Sequence, residues 1–219
     1  LHTPEGVRDI YAEECARKLA VEQKIQHVFG LYGYQSIETP VFEFFDIFSK
    51  ERGSVASKNL YKFFDREGNT LVLRPDVTPS IARLVAKYYM DVKVPVKLCY
   101  NANTYINNSE LQGKLKENTQ LGCELINDDS VEADAEILAL VVDSLKAAGL
   151  KEFLVEIGHA DFYKGLLEEC GFDTENEQEL RKRIENKNYF GVEEILDNNN
   201  ITGQLKEAFL KSTVNFGTS

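Results

Sequence analysis

The sequence lacks tryptophan altogether and contains one methionine, five prolines and four cysteines among 219 residues. Basic residues are also few, because 25 lysines and arginines stand against 36 acidic residues and give a formal net charge of -11. Since a charge of this sign repels polyanions at long range, extended nucleic-acid binding is not expected. Hydrophobic residues still make up 43% of the chain, enough to bury a substantial core.

The cysteines and the apolar runs exclude further classes of protein. Cys15, Cys99, Cys123 and Cys170 stand far apart without a CxxC pair, so neither a zinc site nor a disulfide framework is predicted. The longest apolar runs, such as ILALVV at 137–142, are too short to cross a bilayer, and no export signal is recognisable. We therefore expect a cytoplasmic protein with reduced thiols, no membrane association, no bound metal and no cofactor.

Hydrophobic periodicity predicts helices and strands in mixed order. Helices are predicted at 12–32, at 79–89, from the N-cap Ser130 to Gly149, at 160–172, and three times between Glu175 and Thr213. Strands are predicted around Pro40, on both sides of the turn Arg66–Asn69, at 94–105, in the second arm of a hairpin through Gly113, and at 152–159. This order favours an α+β fold. We expect one domain over 1–219, either whole or cut short, with 175–213 as a helical insertion or appendage.

Two acceptor side chains lie in the segment LVLRPDVTPSIARL, residues 71–84. Asp76 and Thr78 follow an apolar strand and precede a predicted helix, and their oxygen atoms suit a ligand ammonium group. The same residues also fit a simple helix start, with Thr78 as the N-cap and Pro79 at the first helical position. Spacing alone favours the capping interpretation and leaves ligand binding open.

Gln120 and Glu124 stand four residues apart in the second arm of the predicted hairpin. In a strand both side chains point to one face, and Gly122 lies between them on that face with room for a group against the backbone. Polar side chains on a central strand need partners, and a small polar ligand is one way to provide them. The alternative is a strand face turned to solvent.

Several segments resemble one family. They are TPEGVRDI at 3–10, YGYQSIETPVFE at 32–43, LRPDVTPSIAR at 73–83 and GKLKENTQLGCELI at 113–126, and they are similar to the histidyl branch of class II aminoacyl-tRNA synthetases. EIGHADFYKGLL at 156–167 continues the resemblance. It implies a synthetase-like core with a mixed, mostly antiparallel sheet flanked by helices, and a homodimer interface built by the element that contains Pro40 and the aromatic run VFEFFDIF.

The resemblance also implies roles for the four polar residues. Asp76 and Thr78 fall in the loop that holds the amino group of histidine in the family, and Gln120 and Glu124 fall on positions that contact bound histidine. Asp76 is one methylene shorter than the glutamate common in synthetases, so its reach to the ammonium group is altered or bridged by water.

Departures from the family pattern argue against catalysis. A gapless alignment puts Ile106 where a synthetase has the arginine that neutralises the α-phosphate of ATP, and Asn108 where it has an acidic residue. An aliphatic side chain cannot stabilise the charge of an adenylate-forming transition state. Lys114 and Lys116 stand where the synthetase loop has arginines, and a solvated loop is the preferred interpretation of both. We therefore expect no catalytic residues and no aminoacylation.

A synthetase-like body with histidine-contact positions but without ATP chemistry resembles the regulatory subunit of ATP phosphoribosyltransferase. The third class II motif and an anticodon-binding domain do not appear, so the sequence is either a fragment or such a reduced paralogue. The resemblance implies a role in histidine biosynthesis, a short catalytic phosphoribosyltransferase subunit as partner in a hetero-oligomer, and histidine as feedback ligand. Two alternatives stay open: a divergent or truncated histidyl-tRNA synthetase, and a stand-alone amino-acid sensor.

Overall fold

The computed structural model describes residues 2–49, 55–108, 113–158, 160–186 and 188–214. The chain divides into two compact units, with the boundary between Phe153 and Leu154. The predicted helical appendage at 175–213 lies wholly within the second unit, but whether the chain is one domain with an insertion stays a prediction.

The first unit contains all six described strands and four helices. The helices are α1 (Ala12–Leu31), α2 (Asp46–Ser49), α3 (Thr78–Tyr88) and α4 (Val131–Ala148), with a 3-10 turn at Ser57–Asn59. The strands are β1 (Gln35–Ser36), β2 (Phe42–Phe44), β3 (Lys62–Phe64), β4 (Thr70–Leu73), β5 (Val96–Tyr105) and β6 (Glu117–Ile126). The α+β prediction is confirmed, and the helix predicted at 12–32 and the strand predicted at 94–105 agree with α1 and β5 within two residues.

The main sheet has the strand order β1-β5-β6. β1 runs parallel to β5, and β5 pairs antiparallel with β6 along ten residues, which confirms the predicted hairpin. Because side chains alternate along a strand, each arm offers two faces. One face packs against α3 through Leu98, Tyr100 and Ile81, and the other packs against α1 and α4 through Cys99 and its neighbours.

A second sheet has the order β2-β4-β3, with both pairs antiparallel. The predicted turn at Arg66–Asn69 joins β3 to β4, and the carboxylate of Asp65 accepts hydrogen bonds from the backbone amides of Glu67 and Asn69 at 3.1 and 2.8 Å. Val72, in the middle of β4, is fully buried against Phe48 and Leu60. β4 leads directly into the segment that contains Asp76.

The ends of α4 follow the sequence signals. The Ser130 hydroxyl accepts a hydrogen bond from the amide of Ala133 at 3.2 Å, so Ser130 is the predicted N-cap. Gly149 ends the helix at a φ of 108°, a left-handed conformation that glycine adopts without steric cost. These two caps fix the helix that covers the second face of the hairpin.

Four helices lie in the described part of the second unit from residue 160 onward. It contains α5 (Ala160–Cys170), α6 (Thr174–Glu185), α7 (Tyr189–Asn198) and α8 (Gly203–Val214), as predicted. Leu180, Val192, Leu196 and Phe209 are fully buried and form its core. Within the described ranges of the whole chain, no helix is both long and apolar enough to span a bilayer.

The strand predicted at 152–159 is wrong for residues 152–158, and His159 lies outside the described residues. The alternation of Leu154 and Ile157 with polar residues is strand-like, but a strand also needs a neighbour to bond to. Among the described residues no segment pairs with 152–158, and Leu154 and Ile157 are 70% and 73% exposed.

We expect Ile81→Ala to lower the free energy of unfolding by about 2–4 kcal/mol, because Ile81 is 1% exposed where α3 packs on β5. Urea denaturation followed by far-UV circular dichroism measures the change. Met90→Ala, at a side chain that is 77% exposed, is the control and should cost less than about 0.5 kcal/mol. Equal effects of the two substitutions would contradict this packing.

Candidate functional site

The structure brings all four predicted ligand-binding residues together at the start of α3 and the middle of β6. The Thr78 hydroxyl donates to the Glu124 carboxylate at 2.6 Å, and the Gln120 amide donates to the Asp76 carboxylate at 3.3 Å. Residues more than forty positions apart in sequence therefore meet in one polar cluster. Asp76, Gln120 and Glu124 are partly buried, whereas Thr78 is exposed.

Thr78 is not the N-cap that spacing favoured. The helix has Val77 at its N-cap position with no side-chain capping bond, and Thr78 is already the first helical residue. Pro79 lies in the first turn, as predicted, because its missing amide would have no helical partner there. The hydroxyl of Thr78 donates to Glu124 and does not cap α3, so the capping interpretation is wrong, and the ligand-binding role of Thr78 stays a prediction.

Sequence analysis missed Tyr100, which stands at the centre of the cluster. Its hydroxyl accepts a hydrogen bond from the Gln120 amide at 3.2 Å, and its side chain is only 6% exposed. Tyr100 lies directly opposite Gly122 in the hairpin, and a Cβ atom added to Gly122 would stand 2.4 Å from the tyrosine oxygen. The room expected above Gly122 is therefore filled by Tyr100.

A signal for Tyr100 was present in the sequence. An aromatic side chain commonly packs over a glycine on the neighbouring strand. The two arms are antiparallel, so each step forward along β5 is matched by one step back along β6. Ala102 lies opposite Gln120, and Leu98 lies opposite Glu124. Had the register been derived from the two arms, Tyr100 would have been paired with Gly122.

The electrostatics of the cluster favour a cationic ligand. Burial raises the pKa of the Glu124 carboxyl, the hydrogen bond from Thr78 lowers it, and the nearby Asp76 carboxylate raises it. Burial also raises the pKa of Tyr100 to about 12, so the phenol stays neutral. Among the described residues no ion pair includes Glu124. A ligand ammonium group would offset the repulsion between the two carboxylates.

The loop that contains Asp76 is fixed at its first residue. Arg74 is 6% exposed and donates from Nε to the Asn103 carbonyl and from Nη1 to the Thr39 carbonyl, both at 2.8 Å. The Val77 amide donates to the Asp76 carboxylate at 2.7 Å. The acceptor atoms of the cluster are therefore held by backbone and buried side chains before any ligand binds.

The other residues that sequence analysis singled out lie away from this cluster. Ile106 follows β5, and its amide donates to the Lys116 carbonyl at 2.9 Å, while the Asn108 side chain donates to the Leu115 carbonyl at 3.3 Å. Lys114 is exposed, and the backbone amide of Lys116 donates to the Gly6 carbonyl at 2.7 Å. That Ile106 replaces a catalytic arginine stays a prediction.

Metal binding finds no support in the described residues, where no group of three or more histidine, cysteine or acidic side chains could hold an ion. The cluster offers two carboxylates, a hydroxyl, a phenol and an amide, which together suit a small ligand with an amino group.

Comparison with known proteins defines the class. Residues 6–217 match the family model described as histidyl-tRNA synthetase, and the chain belongs to this family. The fold agrees, because 69% of the chain superimposes on 40% of apo histidyl-tRNA synthetase from S. aureus with a TM-score of 0.58 and 28% identity. The synthetase-like fold class predicted from sequence is thereby confirmed.

Within the family, the resemblance to a regulatory subunit is also confirmed. The chain is 45% identical over 218 residues to the ATP phosphoribosyltransferase regulatory subunit of Ruminiclostridium cellulolyticum, covering 100% of this chain and 52% of the relative. A solved Bacillus halodurans protein, described as an ATP phosphoribosyltransferase regulatory subunit/histidyl-tRNA synthetase, matches 96% of this chain and 54% of its own with a TM-score of 0.86 and 37% identity. The chain thus spans about half the length of these relatives.

We expect Glu124→Gln to raise the melting temperature at neutral pH. With its pKa raised by folding, Glu124 binds a proton more tightly in the folded than in the unfolded state, so stability falls as pH rises from the unfolded pKa through the raised folded one. Glutamine removes this cost and still accepts from Thr78. Thermal unfolding at several pH values should show a gain at pH 7 that disappears below about pH 4.5.

Glu67→Gln is the matched control. It removes the same charge from an acidic chain, but at a side chain that is exposed in the turn between β3 and β4. A gain at neutral pH as large in the control as at Glu124, or a loss at Glu124, would contradict the electrostatic account of the cluster.

Proposed function

We propose that this chain is a histidine-binding part of a cytoplasmic ATP phosphoribosyltransferase regulatory subunit, and that bound histidine gives feedback control of histidine biosynthesis. One observation carries the proposal: Asp76, Thr78, Gln120 and Glu124 converge in a polar cluster on a chain similar to regulatory subunits. Residues 175–213 would be a helical insertion into the synthetase-like core or an appendage to it, as the sequence predicts.

The charge of the cluster supports histidine as the ligand. The ammonium group would lie between Asp76 and Glu124, where it lowers the electrostatic cost of two neighbouring carboxylates. Gln120, already held by Tyr100, would fix a polar edge of the ligand. Thr78, exposed beside Glu124, has a hydroxyl that can turn from the carboxylate to the ligand.

The same features support a role without aminoacylation. Ile106 offers no positive charge where a synthetase neutralises the α-phosphate, and the relatives at 45% and 42% identity, from Ruminiclostridium cellulolyticum and Acetivibrio thermocellus, are named regulatory subunits. A regulatory subunit needs a catalytic chain to regulate. We propose a short catalytic ATP phosphoribosyltransferase subunit as that partner in a hetero-oligomer.

A homodimer is the second proposed assembly. Phe42 and Phe44 of β2 are 51% and 56% exposed, and Phe42 packs edge-to-face on Phe63 of β3 at 5.8 Å between ring centroids. These three aromatic residues form the aromatic face of the β2-β4-β3 sheet. Its occupant would be a second copy of the chain, because the element around Pro40 builds the dimer interface in the family that the chain resembles.

Isothermal titration calorimetry on the full-length protein tests histidine binding. We expect histidine to bind, and Asp76→Ala and Glu124→Ala each to weaken binding by about 10- to 100-fold, since each loses a charge-assisted hydrogen bond. Imidazolepropionate, which lacks the ammonium group, should not bind. ATP with magnesium should give no heat and no histidine-dependent pyrophosphate exchange.

Glu117→Gln is the matched control, because Glu117 lies on the same strand with its side chain on the opposite face, bonded to Asn103 and Tyr105. Its histidine affinity should equal that of the unmodified protein. Pyrophosphate exchange with ATP and histidine would instead support a divergent synthetase, and absence of histidine binding would reject the proposal.

Sedimentation velocity tests the dimer. We expect Phe42→Ser and Phe44→Ser each to raise the dimer dissociation constant about tenfold or more, because each removes an apolar side chain worth about 1.5–3 kcal/mol when buried. Phe64→Ser is the control, since Phe64 is 73% exposed on the other face of the same sheet. A monomer at micromolar and higher concentrations, or equal effects of all three substitutions, would reject this face as the interface.

A further inference from the structure

Two arginines flank the proposed ligand-binding residues in sequence and hold the same neighbouring segment. Asp76 and Thr78 lie between Arg74, at the end of β4, and Arg83, in the middle of α3. Both guanidinium groups reach the segment 39–43, which contains Pro40 and the start of β2. Residues 39–43 are thus bonded to Arg74, at the start of the loop 74–78 (the ligand loop), and to Arg83 of α3.

The Arg74 contacts are with backbone atoms. Its Nη1 atom donates to the carbonyls of Thr39 at 2.8 Å and Pro40 at 3.3 Å, and its backbone amide donates to the Val41 carbonyl at 2.9 Å. Its own carbonyl accepts from the amide of Tyr105 at 2.9 Å. A shift of residues 74–76 would therefore displace residues 39–41 or break several hydrogen bonds inside the protein.

The Arg83 contact is a charged one. Its Nη2 and Nε atoms donate to one carboxylate oxygen of Glu43, at 2.6 and 3.0 Å. The Glu43 side chain is 7% exposed, so this ion pair loses little strength to solvent screening. Because side chains alternate along β2, Glu43 points away from the face that exposes Phe42 and Phe44. A movement of α3 would therefore displace β2 through the Arg83–Glu43 ion pair, on the side of the strand opposite the aromatic face.

We propose that Arg74 and Arg83 act as positioning residues that couple histidine binding to association of two chains through the aromatic face. The inference rests on the proposed function, since it requires both histidine binding and self-association. Its physical basis is that the ligand loop, α3 and β2 are joined by the hydrogen bonds of Arg74 and Arg83. A ligand that favours one position of the ligand loop therefore also favours one position of β2. Thermodynamic linkage then requires that histidine and the second copy change each other's affinity by the same factor.

The test measures that factor in both directions on the full-length protein. Calorimetry at protein concentrations below and above the dimer dissociation constant gives the histidine affinity of monomer and dimer. Sedimentation velocity with and without saturating histidine gives the dimer affinity of each state. One ratio is the histidine affinity of the dimer over that of the monomer, and the other is the dimer affinity with histidine over that without it. We expect the two ratios to agree and to differ from one by about fivefold or more.

Arg83→Lys tests the route, because lysine keeps the positive charge but cannot donate from two fixed nitrogens. Glu43→Gln is the second variant, in which the Arg83 guanidinium loses its charged acceptor and keeps a neutral one. Each should bring the ratio to about one while histidine binding and dimerisation, measured alone, persist. Lys97→Met is the matched control, since it breaks a partly buried ion pair with Glu136 in the same unit and should leave the ratio unchanged.

The outcomes separate this inference from the function on which it rests. A ratio of one in the unmodified protein, with histidine binding and dimerisation both present, overturns the coupling and leaves the proposed function intact. A ratio that survives both Arg83→Lys and Glu43→Gln, or that Lys97→Met abolishes equally, overturns the assigned route. If histidine does not bind, or no dimer forms, the proposed function fails in that part and the coupling fails with it.

Discussion

The buried guanidinium of Arg74 is the interaction on which the first unit depends. Removing a cation from water is costly unless its donors are satisfied, and here the acceptors are carbonyl groups of Thr39, Pro40 and Asn103. Burial lowers the pKa of Arg74, yet the guanidinium group remains charged at any ordinary pH. Three segments that are distant in sequence therefore meet around one side chain. The second sheet, the end of β5 and the loop that contains Asp76 all bond to this one residue.

The polar cluster differs from the Arg74 site. The charge of Arg74 is compensated by its carbonyl acceptors, whereas the charge of Glu124 is disfavoured by its surroundings. Burial disfavours the charge of the Glu124 carboxylate, and the nearby Asp76 carboxylate disfavours it further. A packing-driven sheet would place apolar residues there, as it does at Leu98 and Ile126 on the same face. Clusters that lower stability without a compensating structural gain are common at binding sites, which are built to be stabilised by their ligand.

Much of the fold could be predicted because its signals are local. Ser130 and Gly149 bracket α4, and apolar spacing gives α1 and α3, since caps and periodicity act within a few residues. The strand at 152–158 could not be judged in this way, because a strand is stable only with a neighbour that the local sequence does not reveal. The four polar residues were selected one by one through the family resemblance, and the structure brings them together, but their role in binding a ligand stays a prediction. Tyr100 could be found only after the two arms of the hairpin had been set in register, and the roles of the arginines required the burial of Arg74, which is a property of the folded chain.

Successive side chains of β6 point to opposite faces of the sheet, and this limits where the chain can gain or lose residues. Gln120 and Glu124 face the polar cluster, while Leu121 and Cys123 face α1 and α4. Insertion of a single residue between Glu117 and Gln120 would exchange the two sets, placing a carboxylate against an apolar core and leucine in the cluster. Related sequences should therefore accept insertions and deletions freely in the loop between β5 and β6, but within the paired arms only where both strands change together. The register of β5 with β6 thus decides which side chains face the polar cluster.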